Sequence, residues 1–491
     1  MTLNFRYEWL LIGLLTLIML IKGVVWSLAF PLWQGPDEED HYAVIQFIAE
    51  LGRLPDAADT FLPDEIAISR ELADVGRLPY APEQRQGFVE TAVHPNETQF
   101  AQLDPATRTS FDKQMVGKLN KATPFYYALA SLVYRLFPDG DLLERAQIQR
   151  LFAVLISSPI VAVAYLIARR LFPTDAAMRL TIPTLVTFHP QLTHITSVVS
   201  VDGFYFVCYS LLIYLSLRVL QTEFNWRNGL AIGLVFVVGV LTKPTLNGYA
   251  PLVALLVVYD WLRSPSRRRD IFWAATAMGT LITIPLGWWM LRSLRINNDL
   301  FYFNPVTEGH RIIQNPFYDY AVLPHMLDYY QSVWGGIFTT WWAHFGWLDT
   351  ALPPWVYTSL RGLTWLAMAG LLVGLVRLWR RPPAPTLASW RAGETTAPVG
   401  VWAFLALGLL VPILLLQFYD LIFWWQYGNG RGLQGRYWLG TIVPMLTFFA
   451  VGLLLWLPKR WHPVAHTWLR VGMVVFNIVS LLGYILPRYY L

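Results

Sequence analysis

Apolar stretches alternate with short polar ones along most of this chain, and their spacing sets the architecture. A helix needs about 20 apolar residues to cross a hydrocarbon layer about 30 Å thick. By that measure apolar runs lie at 9–30, 147–168, 180–199, 203–219, 228–242, 246–262, 271–291, 356–376, 399–419, 437–457 and 468–486. The pattern predicts an all-α polytopic membrane protein with about eleven transmembrane helices. Runs 228–242 and 246–262 are short and are separated by Lys243-Pro244; removing them as a pair leaves the orientation of the rest unchanged. Two segments interrupt the rhythm, 31–146 and 292–355. Both are long loops, and amphipathic helices are expected in them, one over Thr123 to Phe137 that is interrupted by charge at Arg135.

The polar positions orient this frame, because Lys and Arg in short loops stay on the inner side of a membrane. With the N-terminus inside, the inner loops collect Arg169, Arg170, Arg179, Arg218, Arg227, Arg263 and Arg267 to Arg269. Farther along they collect Arg377, Arg380, Arg381, Arg391, Lys459, Arg460 and Arg470. The alternate short loops hold only Lys243, Arg431 and Arg436, and the tail holds Arg488. Both long segments are therefore expected outside. The inner loop 377–398, with Pro382, Pro383 and Pro385, reads as a linker, and Asn96-Glu97-Thr98 matches a glycosylation sequon.

Composition agrees: of 491 residues 55% are hydrophobic and only 14% charged, which suits one membrane domain over 1–491. The first run is too long for a signal-peptide core and is expected to be retained. The single cysteine, Cys208, lies in an apolar run, so no disulfide framework or cysteine metal site is expected. The net charge of +5 reflects the loop asymmetry, and no nucleic-acid partner is expected. No Walker loop or dinucleotide fingerprint is present, which argues against nucleotide chemistry.

Candidate chemistry begins directly after the first run, at Gly35-Pro36-Asp37-Glu38-Glu39-Asp40-His41-Tyr42. Pro36 fits a helix start. Asp37 is placed as an N-cap, with Glu38 to Asp40 in the favourable first turn. Val44, Ile45, Phe47, Ile48 and Leu51 continue as an apolar stripe, so a helix lying along the membrane surface is expected. Asp37 and His41 share a face. The stretch is either a well-capped helix start or a catalytic carboxylate held at the membrane.

Four more charges stand alone beside apolar runs. Asp202 is the only charge between Arg179 and Arg218. An acid next to a membrane is a functional candidate, though it could also cap a helix. Lys243, Arg150 and Arg436 either anchor helix ends or hold an anion, and Arg suits bidentate phosphate binding. Trp334, Trp341, Trp342, Trp347 and Trp355 form either an interfacial belt or an aromatic wall for a lipid or sugar. Gln434, Tyr437 and Trp347 are candidate substrate contacts. His189 and His194 read as packed core residues. A divalent metal held by Asp37, His41 and Asp202, with Glu38 in reach, is a further option.

One carboxylate and several cations at the outer ends of different helices suit glycosyl transfer from a lipid-phosphate sugar. The carboxylate takes a proton from the attacking hydroxyl, and the cations stabilise the departing phosphate. A single displacement inverts the anomeric centre. Two other classes remain open. A lipid-linked-sugar transporter would show an internal repeat and mid-membrane polar residues, and neither is evident in the sequence. A polymerase of lipid-linked glycans would use outward cations without a carboxylate base.

The order of these motifs resembles the GT-C glycosyltransferases, which include bacterial aminoarabinose transferases and protein O-mannosyltransferases. The chain also resembles an uncharacterised bacterial family of GT-C-like membrane proteins. The likeness rests on Pro36-Asp37-Glu38 with His41, Thr123-Pro124-Phe125-Tyr126-Tyr127, Phe345-Gly346-Trp347-Leu348-Asp349 and Gln434-Gly435-Arg436-Tyr437. The resemblance implies a GT-C fold in the bacterial inner membrane with its site on the periplasmic side. It also implies a polyprenyl-phosphate sugar donor and an envelope glycan, lipid or protein as acceptor. Asp37 takes the position of the catalytic base, and Asp202 matches a second acid at the outer end of helix four. Lys243, in its Leu-Thr-Lys setting, resembles a phosphate-contacting lysine of the aminoarabinose transferases. The resemblance supplies no counterpart for Arg436, whose phosphate role is inferred from its charge and place. On this reading Glu38, His41 and Asp202 support Asp37, and Lys243, Arg436 and Arg150 hold the donor phosphate. No large soluble C-terminal domain of the oligosaccharyltransferase kind is expected, and protein-sequon glycosylation is therefore not the expected activity.

Overall fold

The computed structural model describes residues 5–73, 97–298, 322–380, 399–427 and 433–490. Asn96 of the sequon, the linker stretch 381–398 and Arg431 lie outside them. Among the described residues, nine helices are long and apolar enough to cross a membrane. They are Arg6–Ala29, Leu142–Leu171, Asp202–Gln221, Pro244–Arg263, Pro265–Ile296, Pro354–Arg377, Val399–Leu421, Gly435–Leu454 and Lys459–Tyr490. The two remaining apolar runs form shorter helices, Ala176–Phe188 and Trp226–Val240, so the expected eleven resolve into nine long helices and two short ones.

The first of the short helices has a local cause. Run 180–199 breaks at His189, whose backbone leaves the helical region (φ −66°, ψ 118°) before Pro190 restarts a helix over Pro190–Thr196. The residue before a proline is pushed out of the helical region by the ring. Lys22 of the first helix donates to the Thr187 carbonyl and to Thr193 Oγ1, so backbone near the break is satisfied inside the bundle. The other short helix spans 15 residues, about 22 Å at 1.5 Å per residue, and ends just before Lys243.

The described parts of segment 31–146, 31–73 and 97–146, build a helical cap over one end of the bundle. Its core includes Trp33, Tyr42, Phe47, Leu62, Ile66, Tyr126 and Tyr134, and it meets the bundle through Val199 and Val201. The acid-led helix Glu38–Leu51 runs through this core. Ten of its 14 residues are buried, Glu38, Glu39 and Gln46 among them, so its stripe and most of its first-turn acids pack against protein. Gln46 donates to the Arg108 carbonyl at 3.2 Å, and Glu39 meets Arg70 at 3.5 Å. The polar side is thus covered by protein. Helix Pro124–Tyr134 packs beside it. Arg135, where the amphipathic stripe breaks, donates to the carbonyls of Ala49 (3.0 Å) and Ile48 (3.1 Å). It therefore satisfies carbonyls at the C-terminus of Glu38–Leu51, where intrahelical partners run out.

Among the described residues the fold is otherwise helical, apart from an isolated bridge between Phe61 and Val116. One two-residue antiparallel pairing, His344–Phe345 with Thr350–Ala351, makes a small hairpin at the capped end.

Candidate active site

Asp37 is the N-cap of Glu38–Leu51, but its side chain makes no capping bond. Its backbone is left-handed (φ 57°, ψ 18°), which costs a non-glycine residue on the order of 1 kcal/mol. That conformation turns the carboxylate away from the helix and toward two cations. Oδ2 accepts from Arg436 at 2.7 Å, and Oδ1 accepts from Lys118 at 2.9 Å. The expected cap is therefore an ion-paired acid instead. Lys118 also reaches Asp40 at 2.9 Å, bridging the two acids.

The opposite wall comes from other helices. Asp202 opens helix Asp202–Gln221, and its carboxylate accepts from Lys243. The Lys243 ammonium lies over the rings of Tyr205 (5.6 Å) and Tyr437 (5.3 Å). Lys243 follows the short helix Trp226–Val240, whose end is fixed from the cap. The Phe125 amide donates to the Leu241 carbonyl at 3.0 Å, and Thr123 Oγ1 donates to the Thr242 carbonyl at 2.7 Å. The Thr123-Pro124-Phe125-Tyr126-Tyr127 stretch thereby sets Lys243 in place. Helix Pro124–Tyr134 carries Tyr127, whose hydroxyl is 2.7 Å from His41 Nδ1.

Arg436 enters from the turn Gly435–Thr441. Gly435 is required there: a Cβ would come within 2.3 Å of the Ile337 carbonyl and the Trp341 nitrogen. Its own amide donates to Thr340 Oγ1 at 2.6 Å. Arg436 is 7% exposed, and its buried Nε has no hydrogen-bond partner. Trp347 tips the hairpin, between Gly346 (φ 61°) and Leu348 (φ 68°), and its indole N–H donates to the Trp33 carbonyl at 2.9 Å.

These side chains line one cavity of about 350 Å³. Asp37, His41, Asp202, Lys243, Arg436, Gln434, Tyr437 and Trp347, all read as candidates in the sequence, border it together. Asp40, Lys118 and Tyr127 border it as well. Lys118 went unremarked in the sequence, because it lies in a long segment of mixed charge with no apolar run beside it.

Two candidates do not reach the cavity. Glu38 and Arg150 form a buried bidentate pair, at 2.7 Å and 2.6 Å. Arg150 also donates to the carbonyls of Ser27, Phe30 and Pro31 at 2.6–2.9 Å, and Glu38 accepts from the Val199 amide at 3.0 Å. The pair ties the end of the first helix to the acidic stretch and to the loop before Asp202. Arg150 has no spare geometry for a phosphate, and Glu38 none for a substrate. The metal option is not assembled either. Among the described residues no three His, Cys, Asp or Glu side chains are grouped to hold a metal ion. Asp37 is instead engaged by Arg436 and Lys118, and Asp202 by Lys243.

The charges tune one another. Burial pushes the Asp37 carboxyl upward, but Arg436, Lys118 and His41 outweigh it and hold it well below the usual carboxylate range. Burial pulls Lys118 down, yet Asp37 and Asp40 outweigh it and raise its ammonium above the ordinary lysine value. Burial lowers His41, against the opposing pull of the nearby Asp37, Asp202 and Asp40. Burial and the neighbouring Asp40 push Glu39 up to about 8, against the pull of Arg70.

Among solved structures, the chain is similar to the apo oligosaccharyltransferase of Archaeoglobus fulgidus, with 11% identity and a TM-score of 0.46. The match covers 99% of this chain and 56% of that one, so this chain spans little more than half its length. It is also similar to ArnT from Cupriavidus metallidurans bound to undecaprenyl phosphate, with 15% identity and a TM-score of 0.42 over 97% of this chain and 74% of that one. No curated protein matches the sequence. Residues 20–446 match the family described as predicted membrane protein (DUF2142), and the chain belongs to that family.

Proposed function

We propose that this multi-pass membrane protein is a GT-C-type glycosyltransferase. It would take a sugar from a polyprenyl-phosphate carrier and pass it to an envelope glycan, lipid or protein at the outer face of the bacterial inner membrane. One observation supports this most: two cations from different helices, Lys243 and Arg436, face the same cavity as two carboxylates, Asp37 and Asp202.

In this reading the donor phosphate lies between Lys243 and Arg436. The acceptor oxygen attacks the anomeric carbon from the face opposite the phosphate. Asp37 takes the hydroxyl proton, and the electrons of the breaking bond leave with the phosphate oxygen, which the two cations stabilise. The centre inverts. The conjugate acid of a departing lipid phosphate has a pKa of about 6, so the phosphate leaves without a separate acid. Asp37, 29% exposed, is within reach of an incoming hydroxyl. Trp347 and Tyr437 offer aromatic faces for a sugar ring, and Gln434 offers an amide for its hydroxyls. A cavity of about 350 Å³ is at the small end of ligand sites, which suits one sugar and its phosphate better than a long glycan.

The test is transfer from a polyprenyl-phosphate sugar by purified protein in liposomes. Asp37→Asn should lower turnover about 10²–10⁴-fold with the protein still folded. Retained transfer would remove Asp37 as the base. It would favour a polymerase-like use of the cations alone.

A further inference from the structure

We propose that Asp37 and Asp202 act as internal counter-ions that occupy the phosphate site, and that a phosphate group takes Arg436 and Lys243 over from them. The donor then binds before the acceptor, and its arrival frees the base. The nature of the incoming phosphate rests on the transferase reading; the exchange itself rests on the following geometry.

Each of the two cations is matched by one carboxylate, Arg436 by Asp37 at 2.7 Å and Lys243 by Asp202. The cations are held by rigid surroundings. Arg436 follows the tight approach of Gly435 to Ile337 and Trp341, and Lys243 follows carbonyls pinned by Thr123 and Phe125. Arg436 is also under-satisfied: it is buried, and its Nε has no partner. A carboxylate engaged through one terminal nitrogen leaves that donor idle, whereas a phosphate oxygen added beside it can fill the guanidinium fork.

Asp37 is the mobile partner. Its side chain is 29% exposed and has a second cation, Lys118, whose side chain is 58% exposed and which it shares with Asp40. When a phosphate takes Arg436, Asp37 keeps Lys118 and is not left as an unpaired charge. In the phosphate-free site the cations keep Asp37 a weak proton acceptor. A bound phosphate offsets Arg436 and raises its basicity, so the acid becomes an effective base only with the donor in place.

The test is binding of undecaprenyl phosphate to the full-length protein in nanodiscs. Removing an internal counter-ion should tighten binding. Asp37→Asn and Asp202→Asn are each expected to lower the Kd roughly 5- to 10-fold. Arg436→Gln is expected to raise it by tenfold or more. Asn is tolerated in the left-handed backbone of position 37, so Asp37→Asn keeps its fold and carries the test even where Asp202→Asn, at a buried position, does not. If the wild type binds and Asp37→Asn binds equally or more weakly, the exchange is overturned while the transferase reading stands. If neither wild type nor Asp37→Asn binds, the phosphate-donor reading falls, and the exchange with it.

Discussion

Glu38→Gln separates a structural acid from a catalytic one a single residue away. Glu38 is fully buried and gives both carboxylate oxygens to Arg150, at 2.6 and 2.7 Å. The substitution keeps the shape and one acceptor but removes the charge that balances Arg150. Breaking a buried pair by neutralising one partner costs about 3–5 kcal/mol, because the other charge stays buried without compensation. Unfolding entropy of about 2.1 cal/mol/K per residue gives roughly 1 kcal/mol/K for a chain of 491 residues. The expected loss of Tm is therefore about 3–5 °C. Thermal unfolding in detergent, followed by intrinsic fluorescence of the 23 tryptophans, reads it directly. Turnover of the protein that remains folded should fall far less than in Asp37→Asn. A variant with unchanged Tm and abolished transfer would refute the reasoning and return Glu38 to the chemistry.

Two more predictions follow from the same geometry. Glu39 has its carboxyl raised to about 8 when folded, against about 4.3 for an unfolded chain. Its contribution is fully present below about pH 4.3 and is lost as pH rises through 8, so Glu39→Gln should flatten the fall of Tm over that window. An unchanged Tm profile would show that Glu39 ionises normally. Gly435→Ala should lower both folded yield and undecaprenyl phosphate binding, since its Cβ meets backbone atoms of the neighbouring helix at 2.3 Å. Normal yield and binding would show that this turn tolerates a shift.

Much of the frame was legible because a membrane helix is a one-dimensional signal. Apolar length located every run, and Pro190 marks where the third one breaks. Asp37, Asp202, Lys243 and Arg436 stood out for a related reason: each is a charge beside an apolar stretch. What stayed hidden depends on direction and on distance along the chain. Glu38 and Asp37 are adjacent acids, and only the left-handed turn at Asp37 sends one into the cavity and the other into the core. Arg150 pairs with Glu38 across 112 positions, so its charge looked as available as that of Arg436. The acid-led helix showed a stripe, but its polar side is covered by Arg70 and the Arg108 carbonyl, which no local pattern announces.

The measurement that bears most directly on the central claim is an experimental structure of the protein with undecaprenyl phosphate bound. The phosphate is expected between Lys243 and Arg436, with Asp37 turned toward Lys118 and within one sugar of the phosphate. A phosphate bound elsewhere, with the Asp37–Arg436 and Asp202–Lys243 pairs intact, would contradict the claim.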